Sequence, residues 1–398
     1  MRISLLWKSA NSGRIPVLAA LVVFIGGMLC APPVSAIDLT ETVQVHGFIS
    51  QAYLLTDNNK FFGPSDKGSF EFQEMGGNLS WKARPNLQLS AQVTYRNAGD
   101  TAETTPRIDY VLADYTFYND AAMSGGLRVG RYKNPFGLYN MTRDVPDTRP
   151  SILLPESIYI DIFRDMFLSM DGGQLYGQHR SRIGDFFLDV GVGDLVLDSV
   201  MKDTLGVKAQ ISYVGRLLYE MDGGRLRLAI TGVDANMDSS ISVEPNGKLN
   251  VRTYILSAQY NAENWSLTGE WQPEQRTTLE GYVPLSANKT TTGMSYYLQG
   301  SYRFAKDWEA LLRYDVLYAD RDDHSGKKYS AATTLPAYSR FAKDWTVGLG
   351  WNFLPGFLLR AEFHLIDGTL WLSPKENPLP AATKEHWNMF LLQASYSF

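Results

Sequence analysis

The side chains best suited to acid–base or metal chemistry are five histidines, His46, His179, His324, His364 and His386. They are scattered, with no HExxH and no i, i+4 helical pair. The spacing that sets two imidazoles on one helical face for a metal is therefore missing. The tightest grouping is Arg360, Glu362 and His364, two apart and so on one face of a strand. Such a row can hold a metal or move a proton, but it also makes a salt-bridged polar wall, which is the reading adopted. No local Ser/His arrangement suggests a nucleophile with its base. No glycine-rich phosphate loop follows a strand and opens a helix. No catalytic residue, metal ligand or cofactor is assigned.

The elements that would position these side chains are strands. Residues 1–36 have the three parts of a secretory signal: basic Arg2, Lys8 and Arg14, an apolar run over 15–29, and Val34-Ser35-Ala36 for cleavage after Ala36. The run is too short, and too early broken by Pro16, for a membrane anchor. Cys30 follows Leu29, where a lipoprotein signal needs a small residue, so no lipid attachment is read there. Removing this segment takes the only cysteine and three basic residues, leaving 34 Lys+Arg against 42 Asp+Glu, a net charge of −8. A secreted, cysteine-free, acidic chain has no disulfide framework and is a poor partner for nucleic acid.

Residues 37–398 contain no linker and no long stretch of period 3.6. Segments of about ten alternating residues recur instead. In 87–97, Leu87, Leu89, Ala91, Val93 and Tyr95 oppose Gln88, Ser90, Gln92, Thr94 and Arg96. In 265–272, Trp265, Leu267 and Trp271 oppose Ser266, Thr268, Glu270 and Gln272. Residues 208–219, 308–318, 345–353 and 357–365 repeat the pattern. The polar faces place Arg96, Lys208, Arg216, Arg225, Arg227, Arg313 and Arg360 inward, against Glu270, Glu309, Asp315 and Glu362.

Tight turns separate alternate pairs of segments: 84–86, 123–126, 184–185, 222–224, 262–264, 305–307 and 355–356. Aromatic residues flank most of them, among them Trp81, Tyr219, Tyr260, Trp265, Tyr302, Trp308 and Phe357. Rings gathered at one end of the strands suit an interfacial girdle. Seven tight turns alternating with eight long polar loops predict an all-β, transmembrane antiparallel β-barrel of about 16 strands. Both termini fall on the tight-turn side. Even strand number and closure leave no unpaired edge in lipid.

The final strand ends on Phe398, with Tyr396, Ala394, Leu392 and Phe390 on the same face. This resembles the C-terminal signature of Gram-negative outer-membrane barrels. The resemblance implies that Tyr396 and Phe398 form a signal read by the barrel assembly machinery, and that outer-membrane lipid surrounds the product. The run Gly130-Arg131-Tyr132-Lys133-Asn134-Pro135-Phe136-Gly137 resembles the phosphate-selective and related porins. That resemblance covers the signal, this run, the following loop and the last strand. The acidic balance departs from the lysine-rich members, so phosphate selectivity is not carried over.

In porins the third outer loop folds into the barrel. Here the third long interval, residues 134–173, contains Pro146, Pro150, Pro155, an apolar Ile152-Leu153-Leu154 and a helical candidate over 156–163. Long loops with apolar content pack against something, so inward folding is expected. Asp144, Asp147, Arg149, Glu156 and Asp161 of this loop are then expected at a pore constriction, facing Arg216, Arg313 and Arg360 across it. The sequence reads as an outer-membrane porin for small hydrophilic solutes, with homotrimer formation implied by resemblance alone. An enzyme or adhesin on the same barrel is the alternative.

Overall fold

The computed structural model describes residues 37–197, 202, 206–239, 247–280 and 289–398. The secretory signal read over residues 1–36 lies outside the described residues. After a short strand, Ile37–Thr40, sixteen strands follow. They are β1 Val43–Thr56, β2 Ser69–Arg84, β3 Leu87–Ala98, β4 Arg107–Asn119, β5 Met123–Lys133, β6 Ser169–Ser181, β7 Gly184–Leu195 and β8 Val207–Met221. The second half is β9 Leu226–Ser239, β10 Gly247–Asn261, β11 Trp265–Glu280, β12 Lys289–Ala305, β13 Trp308–Tyr318, β14 Phe341–Leu354, β15 Phe357–Gly368 and β16 His386–Ser397. Each pairs antiparallel with its neighbours in sequence. β16 pairs with β1, from Met389 opposite Thr56 to Ser397 opposite Phe48, and this closes the barrel.

Closure is completed by the last residue. The Phe398 amide donates to the Gly47 carbonyl at 2.9 Å, and the Gly47 amide donates to the Phe398 carbonyl at 3.0 Å. The Phe398 ring covers Gly47 so closely that a Cβ there would lie 2.5 Å from the ring. Glycine at 47 is what lets the terminal ring reach the first strand.

The alternation read from sequence is the alternation of the barrel wall. Val93, Trp265, Leu267, Trp271 and Leu312 are exposed on the outer face, and Gln92, Arg96, Thr268, Glu270, Arg313 and Asp315 are buried on the inner one. Rings gather at the tight-turn end: Trp308 stacks on Trp351 with centroids 5.1 Å apart, Tyr260 lies 5.4 Å from Trp265, and Phe357 lies 4.4 Å from Tyr396. Exposed apolar rows closed by aromatics are the surface of a lipid-embedded barrel.

Four expectations are corrected. The turn placed at 123–126 lies at 120–122, because Asp120 Oδ1 accepts the amides of Ala122 and Met123 at 2.8 and 2.7 Å. The turn placed at 184–185 lies at 182–183, since Gly184 already pairs with Ser181. Lys208 points outward and not inward, because the β8–β9 register shifts between Tyr213 and Gln210 and a bulge reverses the faces beyond it. Arg225 sits on the outer side of its turn, with its guanidinium 5.7 Å from the centre of the Tyr260 ring.

Two apolar clusters lie on the inner face. One joins Phe136, Leu154, Ile158, Tyr159 and Phe167 to Val214, Leu218, Val233, Met237, Val251 and Ile255 of β8–β10. The other joins Ile152 and Leu153 to Phe61, Phe62, Trp371 and Leu372 of the first and last long loops. The packing of Ile152-Leu153-Leu154 was expected from sequence, but their inner-face partners on β8–β10 were not, because polar residues alternate with them too irregularly.

Candidate functional site

Residues 134–168, between β5 and β6, form a segment bonded to side chains of β2, β3, β8, β11, β13 and β15. Its neck is the Lys133–Gly137 stretch. Gly137 has φ +57°, and a Cβ there would lie 2.3 Å from the Tyr159 hydroxyl. The chain therefore turns sharply, and the amides of Leu138 and Tyr139 both donate to Tyr159 Oη, at 2.8 and 3.0 Å. Phe136 stacks on Phe167 at 4.6 Å, while the Asn140 amide group donates to the carbonyls of Asn134 and Phe167 at 2.9 Å. Neck and tail of the segment are thus pinned to each other.

Of the helical candidate over 156–163, only Asp161–Phe163 is helical. Residues 155–159 make a turn, with the Tyr159 amide donating to the Pro155 carbonyl at 2.9 Å. The helical turns are Asp161–Phe163 and Arg164–Leu168. Glu156 explains the break, because its carboxylate accepts the Asp161 amide at 2.8 Å and so occupies the first helical donor. The long interval also ends earlier than expected, at Leu168, because β6 begins at Ser169.

Contacts run around the wall. Glu270 of β11 accepts from the Leu138 amide at 3.0 Å and from the hydroxyls of Tyr159 and Tyr297 at 2.6 and 2.9 Å. Arg216 donates to the Gly137 carbonyl at 3.2 Å. Asp315 of β13 accepts the Ser157 amide at 3.2 Å. Arg313 donates to Ser151 Oγ and to the Leu153 carbonyl, both at 3.0 Å. Arg360 donates to the carbonyls of Pro146 and Arg149 at 2.7 and 2.5 Å, and Glu362 accepts the Ile152 amide at 2.5 Å.

The three wall arginines therefore hold backbone carbonyls and not the loop carboxylates that sequence set opposite them. An irregular segment has few partners for its own carbonyls, and a guanidinium fork can serve two at once. The carboxylates pair elsewhere. Arg96 meets both oxygens of Asp161 at 2.9 Å and Glu74 at 3.3 Å. Arg149 meets Glu74 at 2.7 Å, Lys133 meets Asp109 at 2.8 Å, and Asp144 pairs with both Lys133 and Arg164. Of the eight residues assigned to a constriction, Asp144, Arg149, Glu156, Asp161, Arg216, Arg313 and Arg360 are buried. Asp147 is exposed and accepts from Ser397 Oγ at 3.1 Å.

Glu74, Asp109, Lys133 and Arg164 were not singled out from sequence. Lys133 stood in the quoted motif and Glu74 in a strand whose alternation is masked by Gly76 and Gly77, so only the pairing shows their part. The Glu362–His364 row is a bonded wall: His364 Nδ1 lies 2.7 Å from Asp344 and Nε2 3.5 Å from Glu362. Below the segment, at the tight-turn end, is a cavity of about 320 Å³ lined by Tyr139, Arg149, Gln259, Ser301, Arg303 and Arg360.

Burial and the neighbouring Asp161 hold the Glu156 carboxyl well above the usual range. Its folded pKa therefore exceeds its unfolded one. The stability this contributes is complete below about pH 4.5 and is lost as pH rises towards the raised value. Glu156→Gln is expected to match the native protein near pH 4 and to be the more heat-stable of the two at pH 8. Parallel melting curves at both pH values check this, and an unchanged difference between them contradicts it.

No protein-family model matches the chain, and no curated protein matches it in sequence. Solved structures do match in shape. An anion-selective porin from Comamonas acidovorans superposes with a TM-score of 0.58 at 12% identity, covering 90% of this chain and 99% of that one. OmpT, an outer membrane protein of Vibrio cholerae described in a trimer form, gives 0.58 at 11% identity, over 90% and 99%. The outer membrane channel DcaP of Acinetobacter baumannii gives 0.55 at 11% identity, over 92% and 100%. At these identities the likeness is one of fold, and the fold this chain shares is the closed sixteen-stranded antiparallel barrel of Gram-negative outer-membrane porins and channels.

Proposed function

We propose that the chain is a passive outer-membrane channel for small hydrophilic solutes, with residues 134–168 folded inward as its constriction. The supporting observation is the ring of bonds from that segment to inward side chains of β2, β3, β8, β11, β13 and β15. A barrel lined by polar side chains and narrowed by a tethered loop admits solutes by size and charge. Because the segment is bound on so many sides, the passage is narrow and the conductance low. Asp147, the exposed member of the assigned set, faces the solute, while the seven buried members hold the loop in place. Cleavage after Ala36, insertion by the barrel assembly machinery and association as a homotrimer belong to the same reading.

Purified protein in planar bilayers tests it. Small, stepwise, ohmic currents are expected. A barrel that gives no current steps but hydrolyses lipid or peptide would transfer the reading to the enzyme alternative.

The terminal strand carries an expectation of its own. Phe398→Ala removes the ring that covers Gly47 and Tyr396, whereas Ser397→Ala leaves that contact intact. Yield of folded protein in the outer membrane should fall several-fold for the first and little for the second. Equal yields would remove the special part given to Phe398.

A further inference from the structure

The outer wall of β7–β11 contains a notch that nothing inside the protein requires. Register sets Val190, Gly215, Gly232 and Tyr254 side by side on four successive strands. One row nearer the tight turns stand Leu188, Leu217, Ile230, Leu256 and Trp271, all exposed apolar side chains. The two adjacent glycines thus remove side chains from an otherwise continuous apolar surface, leaving a concavity of about 800 Å³ between Tyr213 and Tyr254. A Cβ on Gly232 would meet nothing within 4 Å, and one on Gly215 only the Asp189 carbonyl at 3.7 Å. Neither glycine is among those of positive φ. Internal packing and backbone conformation both leave room for a side chain that is not there.

The row on the other side of the notch is charged. Asp234 stands opposite Arg252, and Arg252 opposite Arg276. A register shift next to Pro273 reverses the faces of β11 and turns Glu274 and Arg276 outward. Arg252 bonds Asp234 at 2.9 Å, and Glu274 takes both Arg276 at 2.8 Å and Arg321 at 3.3 Å. Three guanidiniums share two carboxylates, and the side chains of Arg252 and Arg276 are 64% and 54% exposed. Two arginines directly opposite one another repel unless an anion lies between them. Eight residues separate Arg252 from Tyr260 in the girdle, a height of roughly 20 Å for a tilted strand, which is near the far edge of a ~25 Å apolar band. The notch lies in the bilayer and the arginines lie at its outer surface.

We propose that this face binds one phosphate-bearing lipid from the outer half of the bilayer. An acyl chain fills the Gly215–Gly232 notch, flanked by Tyr213 and Tyr254, and the phosphate bridges Arg252 and Arg276. The guanidinium fork matches phosphate oxygens in a way an ammonium does not. The surplus positive charge of the row selects an anionic headgroup over a neutral one, and equally over an identical, cationic face of a second copy.

The test is native mass spectrometry of the full-length protein in detergent, titrated with dipalmitoyl phosphatidic acid and separately with dipalmitoylglycerol. One phosphatidic acid per chain is expected to be retained, at least tenfold more tightly than the uncharged lipid. Gly232→Leu, which fills the notch without an internal clash, should weaken its binding at least tenfold and leave single-channel conductance unchanged. Arg252→Ala with Arg276→Ala should abolish the preference for phosphate while the uncharged lipid binds as before, and this arm stands independently of the glycine variant. Phosphatidic acid binding that is the same in the native protein and both variants overturns the proposal. So does a Gly232→Leu protein that keeps its lipid but changes from oligomer to monomer, which would assign the notch to a second copy.

Discussion

Deleting residues 146–156 and bridging the gap with glycine and serine should raise single-channel conductance several-fold in planar bilayers. The deleted residues include Pro146, Arg149, Ser151, Ile152 and Leu153, which together occupy Arg360, Glu74, Arg313 and Glu362 on the wall. On the proposed reading, the deletion removes chain from the lumen and returns those wall charges to water. They are rehydrated and not orphaned, so the desolvation penalty that makes single removals costly does not arise. The strand ladder is untouched, and heat-resistant migration of the folded barrel confirms that. A folded deletion variant with native conductance would place the segment away from the solute path. It would also leave the lipid site unaffected, so the two readings fail separately.

The second large effect is expected at Arg313. This side chain is only 1% exposed and binds Ser151 Oγ, the Leu153 carbonyl and Thr346 Oγ1. Arg313→Ala leaves these acceptors and the neighbouring Asp315 without their cation in a closed space. Removing one partner of such a buried set costs about 3 kcal/mol. The barrel need not unfold, because the segment can detach instead, so the loss appears locally. Exchange of the Ile152 amide, held by Glu362, should accelerate by on the order of 100-fold, with larger current fluctuations in the bilayer. Arg313→Lys should restore little, since an ammonium lacks the fork. Arg225→Ala, on the outer surface beside Tyr260, should change neither readout. Native exchange at Ile152 in Arg313→Ala would show that the arginine does not anchor the segment.

The sequence by itself determined the strands and their faces. Period-2 alternation is a local property: Gln92, Thr94 and Arg96 face inward because each stands one residue from an apolar neighbour that faces lipid. Turn chemistry is equally local: Asp222-Gly223-Gly224 and Gly356 mark turns because few other residues adopt their positive φ, and Pro355 sets a negative φ ahead of Gly356. From these the strand number, the antiparallel order and the closing contact of the last strand follow. Where locality fails, the reading failed with it. The bulge in β8 reversed Lys208, and a carboxylate capping its own chain at Glu156 replaced the first part of a helix with a turn.

Only the tertiary structure decided which partners residues 134–168 meet. Glu270 and Tyr159 lie 111 positions apart, and Ile152 and Glu362 lie 210 apart. No periodicity reports such a pairing, because closure of the barrel is what sets the walls around the segment. The outer notch has the same origin. Gly215 and Gly232 are unremarkable in sequence, and they form one site because β8 and β9 pair in the single register that sets them opposite each other.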